Sequence, residues 1–128
     1  VEATYLRARC RLDYTTAAER RAPETAPLFH YVVVRSDLPR GIQSAMLVHA
    51  AGESSPGALP EDTHVVVLVA RDELHLSLVA ERLEGAGIAI VRVREPDAPY
   101  QGALMAVGVR PVRKEVVRRH VSELPLLR

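Results

Sequence analysis

From Leu28 onward, apolar residues recur in two different periods, and the switches between them mark out seven elements. A first strand is predicted over about 29–35, rich in β-branched Val32, Val33 and Val34. A helix follows over about 39–51, where Asp37 can cap it and Pro39 suits its first turn. On this helix Ile42, Ala45, Met46 and His49 fall on one face. GESSPGALPED over 52–62 reads as a loop, and VVVLVA over 65–70 as a second strand. That second run has no polar face to give to water, so it is expected at the buried centre of the sheet.

A second helix is predicted after Asp72, with Leu76, Val79, Ala80 and Leu83 at helical spacing and Gly85 and Gly87 ending it. Strands are predicted over 88–93 (IAIVRV) and 103–109 (ALMAVGV). A last helix over about 112–122 turns Val112, Val116, Val117 and Val121 inward. The order β-α-β-α-β-β-α with short connections implies an α/β domain, a mixed sheet sandwiched between helices. The domain is expected over 28–128. Residues 1–27, rich in Ala, Arg, Glu and Thr and closing on APETAP, read as an N-terminal extension. Part of 14–22 has helical character, and an arm or a partner-binding helix both fit it.

Composition narrows the chemistry. The 128 residues are enough for one real core, and a net charge of +1 makes no argument for nucleic acid in bulk. Among the 17 basic residues Lys114 is the one lysine; arginine grips phosphate well but stays protonated and cannot act as a base. With Cys10 as the single cysteine, intramolecular disulfides and cysteine-based zinc sites are excluded. No apolar run reaches membrane-spanning length, and the N-terminus lacks a signal-peptide core, so a soluble, cytoplasmic protein is expected.

Two titratable residues invite a catalytic reading. His49 continues the apolar stripe of the first helix, where a core histidine is the common outcome. Asp97 sits between Pro96 and Pro99, where an aspartate usually just forms a turn. Across one βαβ unit, however, the two can meet at the sheet edge. Arg40 and Gly41 open the first helix, whose free N–H groups favour an anion. A basic run, RPVRKEVVRRH, brings Arg113 and Lys114 together with Arg110, Arg118 and Arg119. It is either a solvated helix face or a surface for a phosphate backbone. The chain has no Gly-rich nucleotide fingerprint and no metal-spaced histidine pair, so no cofactor or metal is expected.

Taken together, LPRGIQSAMLVHAA after a short strand and EPD before a strand ending in VGV resemble the archaeal/eukaryotic-type peptidyl-tRNA hydrolases. The resemblance spans about 29–127. It implies a three-layer α-β-α sandwich with a four-stranded mixed sheet, often dimeric. It also implies metal-free cleavage of the ester joining a peptide to tRNA, with tRNA as partner. Carried over, the signature histidine falls on His49, the loop aspartate on Asp97 and the basic residue before the glycine on Arg40. Three positions depart: the second signature lysine is Ile42, the glutamine before the histidine is Met46, and the strand threonine is Met105, or Ala103 under another gap placement. The expected function is hydrolysis of a peptidyl- or acyl-tRNA ester by water, with His49 and Asp97 sharing that water and Arg40, Gly41, Arg113 and Lys114 holding phosphates. The alternative is a tRNA- or protein-binding module on the same fold that has lost the chemistry.

Overall fold

The computed structural model describes residues 26–128; the extension read over 1–27 lies, through residue 25, outside the described residues. The elements follow the expected order: β1 (Leu28–Arg35), α1 (Arg40–Ser54), β2 (His64–Ala70), α2 (Glu73–Gly85), β3 (Ile90–Glu95) and β4 (Ala103–Val109). A two-residue strand, β5 (Val112–Arg113), then leads straight into α3 (Lys114–Val121). The last helix is therefore shorter than its sequence pattern, because Val112 and Arg113 pair with Phe29 and Leu28 instead of starting the helix.

The sheet is mixed and open, in the order β2-β1-β4-β3, with β5 alongside the start of β1. β1 runs parallel to β2 and antiparallel to β4, which runs antiparallel to β3. Two apolar clusters lie on its two faces. On one, Tyr31, Val33, Leu104 and Val107 meet Leu76, Val79 and Leu83 of α2 and Val116, Val117 and Val121 of α3. On the other, Val32, Val34, Met105 and Ala106 meet Met46 and Ala50 of α1. The result is a three-layer α-β-α sandwich with four main strands.

The expectation that VVVLVA is central does not hold. β2 is an outer strand, and Val65 is 63% exposed. β1 pairs along one of its edges, and among the described residues no strand takes the other. Its apolar run is used in two other ways. Leu68 and Ala70 are buried beneath α2 and α3, and the C-terminal segment lies against the outer edge, where Leu127 N–H donates to the Val67 carbonyl and Val69 N–H to that of Pro125. Along residues 67–69 this segment occupies the outer edge, a cover that discourages pairing with other chains there.

α1 is rotated about one residue from its predicted face. The side facing the sheet carries Gln43, Met46, Ala50 and Ser54, while Ala45 and His49 are exposed. Two polar residues on the inner face hid this from a purely apolar pattern. Gln43 Nε2 donates to the carbonyls of Ser36 and Leu38 (3.3 and 2.8 Å), which stitches down the β1–α1 connection. Near the other end, the buried His30 Nε2 and Ser54 Oγ are 2.8 Å apart, and the Ser54 hydroxyl donates to the Ala50 carbonyl at 2.6 Å. With that hydroxyl already donating, His30 must supply the N–H, which fixes its Nε2-protonated tautomer. Beneath them is Gly108, where a Cβ would lie 2.5 Å from Ser54 Oγ and collide with the Ala50 carbonyl.

Gly108→Ala is therefore expected to destabilise the fold by about 1–3 kcal/mol, since a packed helix backbone cannot move aside cheaply; denaturant unfolding measures it. Burial lowers the His30 pKa below its usual 6.5. The unfolded chain then binds the proton more readily, so the folded state loses stability as pH falls below about 6.5. Thermal melts at pH 7 and pH 5 should show a larger drop for the wild type than for His30→Gln.

Candidate functional site

Both parallel strands end where their helices begin, so the starts of α1 and α2 share one end of the sheet. β4 begins at that same end and β3 finishes there, which brings the connecting loop 96–102 to it as well. Arg40, Gly41 and Asp97 thus lie at one edge, the end of an open α/β sheet where ligands usually bind. Pro39 precedes α1 and no side chain caps it, because the expected cap, Asp37, is turned to Arg35 instead. Arg40 and Asp97 are both exposed. Asp97 builds its turn through the backbone: its carbonyl accepts from the N–H of Tyr100 and Gln101, and its own N–H donates to Glu95 Oε1.

Behind this edge lies a network the sequence reading did not anticipate. Arg35 grips Asp37 with two parallel bonds of 2.9 Å, which holds the Asp37 carboxyl below its ordinary range. Its third nitrogen, Nη1, donates to the Leu104 carbonyl at 3.1 Å. Glu73 Oε2, at the start of α2, accepts from Leu104 N–H at 2.7 Å. An arginine closing a strand two residues before an aspartate was the available signal, but it did not say which backbone needed help.

His49 does not join the edge. It is the tenth residue of α1, about 14 Å along the axis from Arg40 at 1.5 Å per residue. The next residue, Ala50, sits over Gly108, about 16 Å along β4 from the hairpin side at 3.3 Å per residue. His49 is largely exposed, with Nδ1 3.7 Å from Glu53 Oε2, one turn on. Its expected partnership with Asp97 through one water is not formed. α1 leads away from its own N-terminus, and the hairpin stays behind.

The basic run also divides. Arg113 is 1% exposed, so it is no open phosphate contact; as a β5 residue its side chain is committed to the interior. Lys114 is half-buried with Nζ 5.4 Å above the Phe29 ring, within cation–π range. Arg118 and Arg119 are exposed on α3. The three departures from the signature fall together instead. Met46 and Met105 are buried members of the cluster between α1 and the sheet, and Ile42 packs against it. Ala103 packs there too. Among the described residues no cluster of histidine, cysteine and acidic side chains could hold a metal, and no helix is long and apolar enough to cross a membrane.

No family model and no curated protein matches the chain. Among solved structures, a protein of unknown function from Agrobacterium tumefaciens strain C58 is similar, with a TM-score of 0.51 at 17% identity. The match covers 81% of this chain and 100% of the other. At that identity the likeness shows a shared fold.

Replacing the buried Arg113 by glutamate puts a carboxylate where a guanidinium is held, and is expected to cost several kcal/mol or abolish folding. Reversing the exposed Arg118 and Arg119 together should change unfolding free energy by less than about 1 kcal/mol. Chemical denaturation of the two variants tests the division of the basic run.

Proposed function

We propose that the chain hydrolyses the ester between a peptide or acyl group and tRNA at the edge formed by Arg40, Gly41 and Asp97. The resemblance over 29–127 supplies the reaction. The observation that carries the site is that Arg40 and Gly41, at a helix start no side chain caps, share one end of the sheet with Asp97. In this reading Arg40 and the first N–H groups of α1 hold a phosphate of the tRNA acceptor end. The Asp97 carboxylate takes a proton from water as the oxygen adds to the acyl carbon. That proton is returned to the ribose oxygen as the ester bond breaks. His49 has no part in this scheme, since it stands well down α1.

The second reading, a tRNA-binding module without chemistry, is favoured by one specific observation. Ile42, Met46 and Met105, standing where the resemblance puts lysine, glutamine and threonine, belong to an apolar cluster with no ester-polarising group among them. Under it the same edge binds tRNA and releases it unchanged.

The test is turnover of peptidyl-tRNA by purified protein at several salt concentrations. Asp97→Asn keeps the turn, because the backbone makes it, and is expected to cut hydrolysis by roughly 10²-fold, the typical share of a positioned acid–base group. His49→Ala should leave turnover unchanged. Salt-sensitive tRNA binding without turnover selects the binding module. Neither binding nor turnover eliminates both readings.

A further inference from the structure

The start of β4 cannot complete its hydrogen bonds with strands alone. The register of β1 against β4 stops at Val34 and Ala106. On the other side Val93 pairs with Ala106 but Arg94 with Leu104, so Met105 is an extra residue, a bulge. β1 ends at Arg35, which leaves the fully buried Leu104 without a β1 residue in register. Side chains fill the gap from two other elements: Arg35 Nη1 donates to its carbonyl and Glu73 Oε2 accepts from its N–H. Both backbone groups of this buried residue are thus served by charged side chains, and charge makes each bond stronger than a ladder bond.

The same guanidinium also holds Asp37, three residues before Arg40. One side chain therefore ties the turn that delivers Arg40 and Gly41 to the strand that emerges from the Asp97 hairpin. We propose that Arg35 and Glu73 are positioning residues, which set the separation between the α1 start and the Asp97 hairpin by clamping Leu104 at the bulge. This rests on the reading of that edge as the tRNA-ester site. It assigns to Arg35 and Glu73 no contact with substrate. A small displacement at such a site is costly to turnover, because reacting groups must be held to within a fraction of an ångström.

The experiment pairs amide hydrogen exchange with peptidyl-tRNA turnover in the full chain. Arg35→Met and Glu73→Ala are expected to speed exchange at Leu104 and at Tyr100 to Gly102 by roughly tenfold or more, leaving Val33 and Val107 protected. Turnover should fall by roughly 10²-fold through kcat, with KM nearly constant. Glu73→Gln keeps an amide oxygen for Leu104 N–H and should restore both readouts toward wild type. If Arg35→Met fails to fold, the Glu73 pair decides alone, since Glu73 is only half-buried at a helix start. Unchanged exchange in Glu73→Ala, or a Glu73→Gln variant as impaired as Glu73→Ala, overturns the clamp. If wild-type protein does not hydrolyse peptidyl-tRNA, the functional reading fails by itself. The clamp then stands or falls on the exchange data.

Discussion

The contact between α1 and β4 at Gly108 governs much of what this structure does. With no side chain on the strand, the Ala50 carbonyl and Ser54 sit where a Cβ would otherwise be. Such proximity dictates which face of α1 looks inward, and it admits Ser54 and Gln43 at the expense of a wholly apolar stripe. It also explains why a histidine belongs beneath the helix end. His30 fills the space beside Ser54, and its buried Nε2–H finds an acceptor in the Ser54 oxygen, whose own proton goes to the Ala50 carbonyl. Turning that face inward turns Ala45 and His49 out.

A second constraint follows at the opposite end of β4. The bulge at Met105 puts neighbouring residues, Met105 and Ala106, into the same cluster beneath α1. Strict alternation would have sent one of them to the other face. The ladder pays for this at Leu104, and Arg35 and Glu73 repair it. The edge where α1 starts therefore stands on a braced backbone, with Arg40 and Asp97 free to face solvent. In the proposed reading that brace keeps the two groups of the site at a set distance.

The order and type of the seven longer elements were legible in the sequence; the two-residue β5 was not, because Val112 and Arg113 continue the spacing of the helix that follows. So was the inner face of α2, where Leu76, Val79, Ala80 and Leu83 are all buried. Periodicity captures these because it reports how one element divides between core and water. It could not place VVVLVA, since an apolar run is compatible with a strand buried on both faces or with an edge strand covered by another segment. Nor could it separate Arg113 from Arg118 and Arg119. Residues in a single basic run look alike until a two-residue strand takes one of them inside.

By itself the sequence determined an α/β sandwich and the order and approximate positions of its longer helices and strands. Those properties arise from local period, turn residues and connection length, which act within a few residues. Only the tertiary structure decided that Arg40 meets the Asp97 end while His49 does not, and that Ile42, Met46 and Met105 join one apolar cluster. Strand order, the rotation of α1 over Gly108 and the bulge in β4 set those outcomes. Each depends on contacts between residues far apart in the chain, so no local pattern encodes it.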